Sequence, residues 1–142
     1  MKAQSVIVQF IIFFVLSLSI LGAIATFFRF QADILKDDIA SGYRSLVNSY
    51  VASASINLFT SCKNCSGSIY FKIPDTTAGY YTEIFFSDNQ SKVISQPGGK
   101  MFVSSLHNLN YTLLFDGYAH STMLINLTLE KGKNILGISS CT

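Results

Sequence analysis

The residues of this 142-residue chain best suited to chemistry are three cysteines and two histidines: Cys62, Cys65, Cys141, His107 and His120. Cys62 and Cys65 form a CKNC motif, which raises three possibilities. A structural zinc site takes four nitrogen or sulfur ligands, usually as closely spaced pairs. His107 and His120 lie 13 residues apart in polar or turn-like stretches, where a solvated imidazole is the ordinary state, so they do not complete such a set. A thioredoxin-type dithiol sits where a strand leads into a helix N-terminus, whose dipole favours a thiolate. CKNC instead follows a helical pattern and precedes a β-like one. The third possibility is a disulfide formed outside the cytoplasm. A Cys65–Cys141 bond is slightly favoured, because Cys65 lies past the expected helix end. It would close a loop of about 80 residues, worth roughly 4 kcal/mol. Cys62–Cys141 and a local Cys62–Cys65 bond are the alternatives, and in each case one cysteine remains free or pairs between subunits.

Other catalytic arrangements are equally sparse. Asp37 and Asp38 are adjacent on an expected helix and point in different directions, which makes them poor acid–base partners. No serine stands in G-x-S-x-G, and neither histidine has a triad context. Dinucleotide and P-loop glycine patterns are missing. The chain is therefore expected not to be an enzyme and to hold no metal or cofactor. Its net charge of +2 comes without a basic run, so no electrostatic track for nucleic acid is expected.

The elements that would carry these residues fall into two halves. Residues 6–28, VIVQFIIFFVLSLSILGAIATFF, contain no charge. A helix of that length rises roughly 34 Å, enough to cross a hydrocarbon core of about 30 Å. Helical periodicity continues beyond it: Leu35, Ile39, Tyr43, Leu46 and Tyr50 recur at spacings of 4, 4, 3 and 4, and no proline precedes residue 74. The chain is divided accordingly into a leader or cytoplasmic tip (1–5), a transmembrane helix (6–28), an amphipathic extension of the same helix (29–61) and an extracytoplasmic β-rich head (62–142). Ala23-Ile24-Ala25 also fits a signal-peptidase site. Cleavage there would sever a continuous helix, so this reading ranks below an uncleaved signal anchor.

Lys2 before the span and Arg29 and Lys36 after it give the positive-inside rule little to act on. The sequons are more informative. Asn64, Asn89, Asn110 and Asn126 are candidate N-glycosylation sites, and all four follow the span, which points to a head outside the cell membrane. In STMLINLTLE, Met123, Ile125, Leu127 and Leu129 share one strand face, leaving Asn126 on the polar one. In NYTLLFD, Asn110 is opposite Tyr111, Leu113 and Phe115.

After Cys65 the pattern takes period two through SIYFKI, YYTEIFFS (80–87), KVIS (92–95), KMFVSSL (100–106), NYTLLF (110–115), YAHSTMLINLTLE (118–130) and KNILGIS (133–139). The turn signals PDTTAG, DNQS, QPGG, HNL, DG and KG separate them. The expected fold is α+β: one long N-terminal helix packed on a C-terminal antiparallel β-sandwich or small β-barrel. So small a head needs a second layer. The stripe Leu35–Tyr50 would either pack on the sheet or meet sister helices.

The opening MKAQSVIVQF resembles the start of archaeal type IV pilin-like surface proteins, through Lys2, Ala3, Gln4, Ser5 and the apolar run from Val6. The resemblance implies processing between Ala3 and Gln4 by a prepilin peptidase, and a long helix carrying a β-rich head. The early acidic residue of that family is missing here. Gln9 is the nearest polar residue and can hydrogen-bond without supplying charge. Gln9 and Gly22 are the candidate assembly contacts, with Gly22, Ser17 and Ser19 permitting close helix approach.

The leading expectation is a pilin-like structural or minor subunit of a surface filament or related envelope assembly. Its partners would be the bilayer and sister copies, through the N-terminal helix. The second is a single-pass anchored surface protein whose head binds another envelope component without polymerising. A small membrane-anchored enzyme is third.

Overall fold

The computed structural model describes residues 2–62, 65–87, 90–105, 113–130 and 132–141, with side chains from Val6 onward. A single helix, α1 (Lys2–Ser61), precedes seven strands: β1 (Gly67–Phe71), β2 (Tyr81–Ser87), β3 (Gln90–Gln96), β4 (Lys100–Ser105), β5 (Leu114–His120), β6 (Leu124–Glu130) and β7 (Ile135–Cys141). The chain resolves into two compact units, Met1–Asp37 and Asp38–Thr142.

The first unit is helix alone. Its apolar side chains from Val6 to Phe30 are exposed all round. The few hydroxyls in this stretch are satisfied within it. Ser17 and Ser19 donate to the carbonyls of Phe13 and Val15, and Thr26 to those of Gly22 and Ala23. That local back-bonding lets a polar residue sit in an apolar helix without an outside partner.

The second unit consists of the remainder of α1 and the sheet. The strands form one sheet in the order β1-β6-β7-β5-β2-β3-β4. All neighbours are antiparallel except β5 and β7, which run parallel. β7 thus enters between β5 and β6. The short turn at 121–123 carries the chain across it, a step of about 10 Å at ordinary strand spacing. The class is α+β, as the sequence predicts. The strands do not divide into a sandwich or close into a barrel; α1 supplies the second layer over one face of a single open sheet.

Strand periodicity sets that face. Ile84 and Phe86, Val93, Phe115 and Ala119, Ile125, Leu127 and Leu129, and Leu136 and Ile138 are buried in one core with Val47, Val51, Ala54 and Leu58 of the helix. Ala40, Arg44, Val47, Val51, Ala54 and Leu58 form the buried helix line, at spacings of 4, 3, 4, 3 and 4. The line on the sheet is not the expected stripe, for which packing on the sheet is one of two readings. Of Leu35, Ile39, Tyr43, Leu46 and Tyr50, Tyr43 packs against the core, and the other four are exposed, Tyr50 with its ring edge-on to Phe71. The reason is polar: the packed face includes Arg44, Asn48 and Ser55, which a hydropathy pattern assigns to solvent. Ser55 donates back to the Val51 carbonyl within the helix, and Arg44 is met by a polar strand position. Ser91 and Ser95 of β3 are buried, and the Arg44 guanidinium donates to Ser95 Oγ at 3.0 Å.

The Asp116-Gly117 dipeptide, expected to be a turn, lies in the middle of β5. Gly117 has φ +121 and pairs with Ile138 of β7, whose carbonyl oxygen a Cβ at this position would strike. The glycine is there because two backbones meet, not because the chain reverses. The actual reversal falls at Ser121–Met123, inside the segment expected to be one long strand. There Ser121 Oγ donates to the Asp75 carbonyl and accepts from the Thr82 amide.

Candidate assembly surface

The cysteines take the local pairing. Cys62 and Cys65 are joined, with their Cα atoms 4.9 Å apart, and Cys141 is a free, half-buried thiol. The favoured Cys65–Cys141 bond is thereby corrected, and sheet register explains why. Gly67, two residues after Cys65, aligns with Leu129 and through it with Leu136; Cys141 aligns with Leu124 at the other end of β6. Five residues of strand separate the two rows, about 17 Å, well beyond disulfide reach. The bond instead closes the exit from α1. The Cys62 amide continues the helix by donating to the Leu58 carbonyl at 3.1 Å, and Cys62 packs on the core beside Leu58 and Gly67.

Among the described residues, no three His, Cys, Asp or Glu side chains come together as a metal set. His120 lies on the outer sheet face. Its Nδ1 is 2.8 Å from Thr122 Oγ1, and its ring tilts against Tyr81 at 4.8 Å between centroids. Next to it, Phe85 and Tyr118 form a similar pair at 4.8 Å, and the Tyr118 hydroxyl donates to Glu83 Oε1 at 3.3 Å. Partial burial raises the Tyr118 phenol above its ordinary value, and the Glu83 charge adds to the shift. His107 lies outside the described residues.

The sequons are placed in part. Asn64, Asn89 and Asn110 lie outside the described residues. Asn126 sits on the outer face of β6, between Tyr70 of β1 and Ser139 of β7. It is half-buried, and its Oδ1 has no hydrogen-bond partner among the described residues. In the first unit, Gln9 and Gly22 are both exposed on α1, and nothing lies within 4 Å of where a Gly22 Cβ would be. Ala3 and Gln4 are helical, with side chains outside the described set.

A concave surface that the sequence reading did not foresee lies beside the helix in the second unit. Tyr43, Leu46, Val47 and Tyr50 form one wall, and Ile73 and Pro74, just after β1, form the other, around a groove of about 680 Å³. The Tyr50 ring meets Phe71 edge-on at 5.1 Å, which fixes it at one end. At the rim, Lys72 pairs with Asp75 at 3.5 Å. Burial raises the Tyr43 phenol above its ordinary value, while the nearby Thr77 hydroxyl pulls it the other way. The K-I-P-D stretch follows the end of β1 at Phe71 and brings Ile73 and Pro74 to this wall.

The surfaces of this chain are thus an apolar helical segment long enough to cross a membrane, a helix stripe with its adjoining groove, and an aromatic outer sheet face. No family model, curated protein or solved structure matches the chain.

Proposed function

We propose that this chain is a pilin-like structural or minor subunit of a cell-surface filament or related envelope assembly, held by its N-terminal helix with the β head outside. One observation carries the reading. Every apolar side chain from Val6 to Phe30 is exposed, over a stretch with no charge until Arg29. Water does not tolerate an apolar surface of that size, so lipid, sister helices or both must cover it. The long helix leading into a β-sheet head is a pilin-like architecture, and the Lys2-Ala3-Gln4-Ser5 start is consistent with prepilin-peptidase processing after Ala3. The role is structural rather than catalytic.

A second reading is favoured by Gln9. Without a carboxylate early in the helix, nothing there neutralises the new amino terminus of a neighbouring copy. A permanently anchored, non-polymerising surface protein that binds another envelope component needs no such group.

Intact and N-terminal peptide mass spectrometry on protein from its native membrane tests the two. A mature start at Gln4 is expected. A start at Met1 or Lys2 would favour the fixed anchor, and a start at Thr26 would overturn both in favour of a secreted head.

A further inference from the structure

We infer that the outer face of the sheet, centred on Tyr70, Asn126, Ser139 and Tyr118, binds a neutral glycan chain of the cell envelope. This requires the head to lie outside, as in both readings above, but not its assembly into a filament.

Sheet register builds the face. Tyr70 of β1 aligns with Asn126 of β6, Asn126 with Ser139 of β7, Ser139 with Tyr118 of β5, and Tyr118 with Phe85 of β2. These residues form one row across the strands, about 19 Å long at ordinary spacing. The row beside it holds Ser68, Thr128, Gly137 and Asp116. Both rows face away from α1, because the alternate residues Phe71, Ile125, Leu127 and Ile138 lie in the core. Tyr70, Tyr118, Ser139 and Asp116 are exposed.

Side-chain size gives the face its shape. β6 and β7 contribute only Asn126, Thr128, Gly137 and Ser139 to the two rows, and Thr128 Oγ1 lies over Gly137, donating to its carbonyl at 3.4 Å. The middle is therefore low. Tyr70 stands on one side of it, and Tyr118, tilted against Phe85, on the other. The two tyrosines are three strand steps apart, about 14 Å. The result is a shallow trough with an aromatic ring at each wall and a polar floor.

That chemistry selects a sugar. Neither row contains an aliphatic side chain to form the apolar centre of a protein contact. A pyranose carries C–H groups on its faces and hydroxyls around its edge. It can lie against a tyrosine ring while hydrogen-bonding sideways. Each hydroxyl both donates and accepts, which matches a floor of amide, hydroxyl and carboxylate groups. Asn126 has unused capacity, since its Oδ1 has no partner among the described residues. Asp116 in the second row and Glu83 beside Tyr118 are acidic, so they accept from hydroxyls and repel an anionic polymer. The nearest lysine along the first row, Lys92, lies beyond Phe85 and donates to Ser87 Oγ. The ligand is accordingly a neutral glycan and not an acidic one.

The test uses the purified full chain in detergent and envelopes of the producing cells. Neutral and acidic oligosaccharide fractions released from those envelopes are titrated into the protein by calorimetry. The neutral fraction should bind, and Tyr70→Ala and Tyr118→Ala should each weaken binding by about tenfold, the loss of one stacked ring. Tyr118→Phe keeps the ring and should stay within about threefold of wild type. Leu46→Ala, exposed on α1, should bind as wild type. Tyr70 is exposed on an edge strand, so Tyr70→Ala should melt within about 2 °C of wild type. Retention of the protein on whole envelopes should disappear once periodate has opened the vicinal diols of the sugars. Unchanged retention would put a protein on this face and overturn the glycan. So would a neutral fraction that does not bind, equal binding of the acidic fraction, or wild-type affinity in both alanine variants. A glycan found on Asn126 by mass would overturn it too, because the chain's own sugar would fill the trough. None of these results touches the subunit reading, which a start at Met1 or Lys2 overturns whether or not the glycan binds.

Discussion

Replacing Gly117 by alanine should be among the most damaging single-methyl additions possible in the head. Gly117 lies mid-strand in β5 at φ +121, outside the regions open to residues with a side chain. Imposing that backbone on alanine costs on the order of 1–3 kcal/mol. The added Cβ would also strike the Ile138 carbonyl across the parallel β5–β7 pair. Relieving that contact means spreading a ladder in the middle of the sheet, a further cost of about 1–3 kcal/mol by analogy with overpacked cores. The sum, about 4 kcal/mol, is a large share of the roughly 5–15 kcal/mol that holds a domain together. At about 4 °C or more per kcal/mol, the melting temperature should fall by about 15 °C. Near-ultraviolet circular dichroism of the full chain in detergent, scanned with temperature, reads this directly. Gly132→Ala, where a Cβ meets nothing within 4 Å, is the control and should melt as wild type. A Gly117→Ala protein within about 1 kcal/mol of wild type would refute the close approach of β5 and β7. Asp116-Gly117 would then be the turn that its sequence resembles.

Three further outcomes follow from the described contacts. Ser95→Ala removes the buried acceptor of the Arg44 guanidinium and should cost about 1–3 kcal/mol by chemical denaturation. No change would mean that Arg44 reaches solvent instead. The Cys62–Cys65 bond closes only a short loop, so its reduction should cost about 2 kcal/mol, against roughly 4 for a bond to Cys141. Alkylation of the native unreduced protein, read by mass, should mark Cys141 alone, and a blocked Cys141 would contradict the pairing. The folded head holds the Tyr118 proton above the pH at which the unfolded chain releases it. Its stability should therefore fall as pH rises past about 10. Glu83→Gln should bring the phenol's spectrophotometric titration to lower pH, and an unmoved titration would remove Glu83 as a cause.

Where residues alternate cleanly, the sequence was enough to place them. Ile125, Leu127 and Leu129 are buried as their spacing requires, and the uncharged run from Val6 to Phe28 made a single helix evident. The errors share a cause: a partner distant in sequence changed the meaning of a local signal. Asp116-Gly117 has turn composition, but its glycine answers to Ile138, 21 positions on. Arg44 looks like part of a solvent face until Ser95 of β3 is set against it, and Asn48 is buried on the same side of the helix. That polar packing shifted the buried line around the helix and left Ile39, Leu46 and Tyr50 exposed. The cysteine pairing needed the strand order, since only the insertion of β7 between β5 and β6 shows where Cys141 ends up. The candidate surface was legible in its residues but not in its exposure.

The placing of β7 also constrains the order in which the protein can be made. Residues 135–141 fill the gap between β6 and β5, and without them the sheet is two fragments, β1-β6 and β5-β2-β3-β4. Neither fragment can complete the core over α1, because Leu136 and Ile138 are part of it. The core over α1 is therefore complete only once β7 is in place. Closing that core waits on the parallel β5–β7 pairing, a contact between strands distant in sequence that joins two otherwise separate strand groups, so this step is expected to set the pace of folding.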